Sequence, residues 1–172
     1  MKGIICYYSG SGNTRLACTY IKQKIQSINF ELFDIVNDKN IDFSEFDIIG
    51  FATFADAWGV SKKIADFIAQ INGSNKYSFI FNTYGCISGK TLPIMRRIVS
   101  KKGFHIISGH SLHCPENYPP MIVSNQAFEN SPNTTEFNEF NEFISGLDQK
   151  ISSLIQKKAV VCTPIKIKAI NL

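Results

Sequence analysis

No two of the five cysteines, Cys6, Cys18, Cys86, Cys114 and Cys162, form a CxxC pair or a cluster. The sequence therefore lacks the ligand spacing of a zinc ribbon or an iron–sulfur site. An odd number of dispersed thiols reads as reduced cysteine in a cytoplasmic protein. Nowhere does an apolar run approach the ~18 residues of a membrane-spanning helix. The run after Lys2 ends at Tyr8 and Ser9, too short for the apolar region of a signal peptide. Charge of one sign is also scarce: 18 Lys and Arg face 14 Asp and Glu, a net charge of +4. The cations read as scattered, with the pairs Lys62–Lys63 and Arg96–Arg97 on solvated helix faces, so neither nucleic acid nor a membrane is an expected partner. There is one tryptophan, and four of the six prolines fall between Pro115 and Thr135.

What is present is ordinary globular material: 44% hydrophobic residues and 19% charged ones in 172 residues, enough for one domain with a full core. "GIICYY", "FELFDIV", "DIIGFATF", "YSFIFNTY" and "GFHIISGHSLHC" read as five strands, rich in β-branched and aromatic residues. Between them, apolar residues recur at helical spacing, as in Ala17, Ile21, Ile25 and Ile28 or Ile64, Phe67, Ile68 and Ile71. Residues 115–135 read as a long loop, followed by an amphipathic helix through Phe137, Phe140, Ile144, Leu147, Ile151 and Leu154. Five alternations of strand and helix predict an α/β doubly wound parallel sheet with helices on both faces. Residues 159–172 read as a C-terminal extension in which "IKIKAI" has the alternation of an edge strand. If strand five is regular, His105 and His110 face opposite ways and the three histidines cannot share a metal.

In such a sheet, ligands bind beyond the carboxyl ends of the strands. The loop after strand one is "SGSGNT", residues 9–14. It fails as a dinucleotide fingerprint because Arg15 stands where the third glycine belongs. "YGCISGKT", residues 84–91, ends like a Walker A loop, but Tyr84 holds the place of its first glycine. Lys90 and Thr91 therefore read as a helix start. The first loop retains small residues, no lysine, and the donors Ser9, Ser11, Asn13 and Thr14 beside Gly10 and Gly12. That set suits one phosphate monoester held by neutral dipoles at a helix N-terminus.

Ser9, Ser11, Gly12, Asn13 and Thr14 resemble the [ST]xTGxT phosphate loop of flavodoxins, with Ser11 for the usual threonine. Together with "GFATFADAWGVSKKIADFI", "TYGCISGK" and "PENY", they resemble the flavodoxin half of clostridial-type flavodoxin–ferredoxin fusions, over residues 1–158. No four-cysteine run follows the last helix. The resemblance implies a three-layer flavodoxin-like fold with strand order 2-1-3-4-5. It also implies bound flavin mononucleotide (FMN), and electron transfer to a separate redox partner such as a ferredoxin or a reductase, with a monomer favoured. The flavin ring needs an apolar or aromatic wall and backbone polar groups at its edges. Thr53, Phe54, Ala55, Asp56, Ala57, Trp58 and Gly59 after strand three, and Asn82, Thr83, Tyr84, Gly85, Cys86 and Gly89 after strand four, are the expected contacts. Trp58, Phe54 and Tyr84 are the stacking candidates, Gly59 would permit the backbone turn, and Cys86 reads as a buried inert thiol. Two alternatives stay open: an FMN-dependent NAD(P)H:quinone-type oxidoreductase, with Tyr118 and Phe128 in its substrate pocket, and a flavin-less binding or signalling module.

Overall fold

The computed structural model describes residues 1–38 and 41–162, the last four by their backbone alone. Strand β1 (Gly3–Tyr7) lies in the middle of a parallel sheet, between β2 (Phe30–Asp34) and β3 (Ile48–Asp56). Beyond β3, after the two-residue β4 (Gly59–Val60), come β5 (Tyr77–Tyr84) and β6 (His105–His113), so the main order is β2-β1-β3-β5-β6. The expected five parallel strands and their order are present. The sixth strand, β4, pairs antiparallel with β3 and was not expected, because its two residues, Gly59 and Val60, are too few for an alternating pattern.

Helices α1 (Asn13–Lys24) and α5 (Thr134–Cys162) cover one face, and α2 (Lys62–Gln70) and α3 (Thr91–Lys101) the other. Ala17, Cys18 and Ile21 of α1 meet Phe140, Ile144, Leu147 and Ile151 of α5 over Ile5, Phe79 and Phe81. On the opposite face Ile64 and Ile68 of α2 and Met95 and Val99 of α3 pack on Ile4, Ile49, Phe51 and Ile80. Each of these side chains buried completely contributes ~1.5–3 kcal/mol. Alternate residues of a strand serve opposite faces, which is why β1, β3 and β5 are apolar on both sides rather than at every second position, with Thr53, Ser78, Asn82 and Thr83 as the buried polar exceptions.

Three readings shift. The 115–135 loop contains a short helix, α4 (Pro119–Val123), whose proline at its first position suits a helix start. The last helix begins at Thr134 and continues through Cys162, past the expected boundary at 158, while the alternating "IKIKAI" lies outside the described residues. Strand β6 is not regular: its register against β5 slips between Ser78 and Phe79. That extra residue puts His105 opposite Tyr77 and His110 opposite Phe81, positions of one parity, so these two histidines share a face. No group of three metal-ligating side chains forms among the described residues. Likewise, none of their helices is long and apolar enough to cross a membrane.

Candidate functional site

The carboxyl ends of β1, β3 and β5 open onto a cavity of about 720 Å³. The loop Ser9–Thr14 forms its floor at the start of α1. Gly12 sits at φ 106, left-handed backbone that a side chain resists, and its turn directs the first amides of α1 outward. The first turn of α1 carries no acidic residue, and Gly12 makes no side-chain cap. Among the described residues, the N–H groups of Gly10, Ser11, Asn13 and Thr14 have no protein acceptor. Four unspent amides at the positive end of a helix make an anion cradle.

The hydroxyls behave differently from the sequence expectation. Ser9 Oγ accepts from the amides of Gly12 at 3.2 Å and Arg15 at 3.3 Å, so it shapes the loop as a cap does. Thr14 is buried, its Oγ1 2.8 Å from Thr83 Oγ1. The Asn13 amide donates to the Pro115 carbonyl at 3.0 Å, tying the loop to the segment after β6. Only the Ser11 side chain stands exposed and unpaired among the four. The unspent donors of this loop are thus chiefly main-chain amides, and the Ser9 and Thr14 hydroxyls fix its shape.

One wall comes from the β3–β4 hairpin. Its two central residues, Ala57 at φ 45 and Trp58 at φ 62, are both left-handed, the geometry of a type I′ turn that ordinarily takes Asn-Gly. Gly59 therefore does not make the turn: it pairs with Asp56 in β4, and its carbonyl accepts from Thr91 Oγ1 at 2.9 Å. Non-glycine residues at such φ cost on the order of 1–3 kcal/mol each and persist only where neighbours over-determine them. The loop after β5 does so. Lys90 N donates to Trp58 O at 2.8 Å, and Gly89, at φ 57, lies so close that a Cβ would run into that same carbonyl. Trp58 is 70% exposed, which rules out a core role, and it lines the cavity with Phe54, Ala55, Asp56 and Ala57. Phe54 packs against Tyr8 at 5.1 Å between ring centroids.

The facing wall comes from Thr83, Tyr84, Gly85 and Cys86. Tyr84 is braced from behind by His113, their rings 9° from parallel at 5.1 Å. Burial raises the Tyr84 phenol, with Glu136 adding to the effect. His113 is held in turn by Glu136 Oε1 at 2.8 Å and Ser131 Oγ at 3.0 Å. Cys86 is exposed on the cavity wall, contrary to the buried thiol expected of it, whereas Cys114 is buried and its thiol is pushed up to about 12.

Of the expected contacts, Gly10, Ser11, Asn13, Thr14, Phe54 to Trp58 and Thr83 to Cys86 converge on the cavity. Ser9, Gly12, Thr53, Gly59, Asn82 and Gly89 do not line it. Thr53 is fully buried, and Asn82 is spent in a network, donating to Ser88 Oγ at 3.1 Å and accepting from Ser111 Oγ at 2.6 Å.

The segment after β6, expected as a wall only in the oxidoreductase alternative through Tyr118 and Phe128, lines the same cavity with Pro115, Glu116, Tyr118 and Met121, of which Pro115, Glu116 and Met121 were not expected. Glu116 is its anchor, Oε1 accepting the amides of Asn117 and Tyr118 at 2.9 and 3.1 Å and Oε2 that of Cys86 at 3.2 Å. Phe128 leaves the cavity and packs on His113 instead. The signal for this wall was positional, since every loop leaving the carboxyl end of a sheet strand faces one edge. Among the described residues no Lys or Arg lines the cavity, and its charged groups are Asp56 and Glu116.

No protein-family model and no curated relative matches this sequence. Solved structures do match. A flavodoxin from the domain Archaea is 17% identical with a TM-score of 0.65, over 88% of this chain and 99% of that one. Megasphaera elsdenii flavodoxin is 16% identical at 0.59, over 88% and 98%. A Lactobacillus acidophilus flavoprotein solved in complex with FMN is 18% identical at 0.53, over 64% and 92%. With the strand order and the two helix layers described above, these likenesses establish that the chain has the flavodoxin fold.

Proposed function

We propose that this chain binds FMN without a covalent bond and carries electrons between redox partners. The observation that carries the reading is the cradle of four unspent amides, free of cations and carboxylates, opening onto a cavity with aromatic walls. A phosphate monoester fits the first, and a flat apolar ring with polar edges fits the second. The likeness in fold to the FMN-bound Lactobacillus acidophilus flavoprotein supports it. The finer likeness to the flavodoxin half of clostridial fusions rests on the sequence stretches alone.

When bound, FMN supplies the one- and two-electron chemistry, and the chain supplies no acid, base or nucleophile. Gly10 to Thr14 would hold the phosphate, with Gly12 shaping the turn and Ser9 fixing it. Trp58 and Tyr84 would flank the ring, and backbone groups at Ala57 and Gly85 would meet its edges, the Gly59 carbonyl and the Cys86 amide being taken by Thr91 and Glu116. Asp56 and Glu116 would face whatever negative charge the ring acquires and disfavour it. A cytoplasmic location remains our reading of the dispersed thiols.

The reductase reading keeps one supporting observation: Tyr118 and Met121 extend the same cavity beyond the strand loops, enough wall for a second small molecule. Steady-state oxidation of NADH or NADPH with a quinone would favour it over the carrier. The primary test is a titration with FMN and with riboflavin, followed by flavin fluorescence and the visible spectrum. Tight uptake of FMN and at least 100-fold weaker uptake of riboflavin are expected. A colourless protein that takes up no added FMN overturns the proposal, and equal affinity for the two overturns the phosphate cradle.

A further inference from the structure

The fold gathers what the sequence seemed to scatter. Residues 60–102 hold eight Lys or Arg against the single acid Asp66, whereas the rest of the chain holds ten against thirteen. From Gly103 to Gln149 there is no Lys or Arg at all. The α2–α3 layer is therefore strongly basic on a molecule whose remainder is slightly acidic. Lys63, Lys90, Arg96, Arg97 and Lys101 are exposed and have no carboxylate partner among the described residues. Lys62 is the exception, paired with Asp66.

Helix stability does not account for the placement. Lys62, Lys63 and Lys90 stand at the N-terminal ends of α2 and α3, where the helix dipole disfavours cations, and neither first turn holds an acid. Those ends point to the cavity edge. Lys63 Nζ lies 5.9 Å over the ring of Tyr8, which packs on the cavity residue Phe54, and Lys90 N bonds to Trp58 O. Arg97 follows Lys90 by seven residues, roughly 10 Å along the helix, close to one Debye length at 0.1 M salt. At the rim beside these cations, Trp58 and Ile87 are 70% and 53% exposed, apolar anchors next to a charged border.

We propose that the α2–α3 edge around Lys63, Lys90, Arg96 and Arg97, with Trp58 and Ile87 at its border, docks an acidic electron-transfer protein. The inference rests on the carrier reading above. Charge complementarity selects the partner: uncompensated cations steer an anionic protein and are screened by salt, while the apolar rim is the contact through which one electron passes per encounter. The electron leaves a reduced metal centre of the partner for the flavin, or travels the reverse way, and no other reactant is required.

The test uses the full chain loaded with FMN, a small acidic [2Fe–2S] ferredoxin, and a neutral benzoquinone as control. Stopped-flow rates with the ferredoxin should fall at least 10-fold between 20 and 300 mM salt. The triple variant Lys90→Glu, Arg96→Glu, Arg97→Glu should lower the low-salt rate at least 30-fold, with FMN affinity, spectrum and the quinone rate unchanged. If that variant fails to fold, Lys63→Gln with Arg97→Gln should still give a 3- to 10-fold drop. A ferredoxin rate indifferent to salt and to these substitutions overturns the docking surface. So does patch-dependent retention on duplex DNA by a chain that does not bind the ferredoxin. Calorimetric binding without FMN separates the two readings: a chain that takes up no FMN yet binds ferredoxin through the patch refutes the carrier and keeps the surface.

Discussion

Two loops in this molecule have nearly the same composition and the same place, between a sheet strand and a helix. "SGSGNT" and "GCISGKT" are both rich in glycine and hydroxyls, and each has a left-handed glycine, Gly12 at φ 106 and Gly89 at φ 57. In the first, four amides are unspent and a Cβ on Gly12 would meet nothing within 4 Å. In the second, Cys86 N reaches Glu116, Lys90 N reaches Trp58 O, Thr91 N reaches Ser88 O, and Gly89 is pressed against Trp58. One loop leaves its donors unspent, and the other spends them on neighbouring loops and on itself. Composition alone does not separate a binding loop from a bracing loop, and the hydrogen-bond account does.

The largest expected effect breaks the first loop. Ser11→Asp places a carboxylate among amides meant for an anion on an exposed residue, so FMN affinity should drop about 100-fold, ~3 kcal/mol, in fluorescence titration, with urea stability unchanged. Next, Gly89→Ala should cost ~2–3 kcal/mol in urea unfolding, because backbone of Trp58 blocks the new Cβ. Gly12→Ala, with open space around it, should cost only ~1 kcal/mol from its φ; equal costs would erase the contrast between the loops. Thr91→Val removes the donor shared by the Gly59 and Ser88 carbonyls and should lower stability by ~1–1.5 kcal/mol while loosening the Trp58 hairpin, read as a change in Trp58 fluorescence.

The smallest effect concerns pH. The Glu136 carboxyl is held below its ordinary 4.5 by the Asn133 amide and then by His113. Its contribution to stability is present above 4.5 and is lost as pH falls through the lower folded value. Glu136→Gln should flatten the unfolding midpoint in that acid range and leave FMN binding at pH 7 intact.

The sheet was legible because buried parallel strands read as apolar and aromatic stretches without strict alternation, as β1, β3 and the Phe79–Phe81 centre of β5 do. The cradle was legible as a location, since strand, glycines and helix start follow one another without a gap. Its division of labour was not, because whether Asn13 faces a ligand or the Pro115 carbonyl depends on a contact with a segment far along the chain. The same reason hid the Glu116 wall and the bulge that turns His105 to the face of His110. The basic layer escaped notice because its cations stand singly or in pairs along residues 60–102, where the imbalance shows only once that window is counted as one layer.

The bond from Asn13 to Pro115 spans 102 residues. On a ribosome adding roughly 5–20 residues per second, that interval is about 5–20 s, during which the loop made first lacks its last brace. Completion of this cradle is thus a late event in the protein's synthesis, timed by the emergence of the segment after β6 rather than by that of the loop itself.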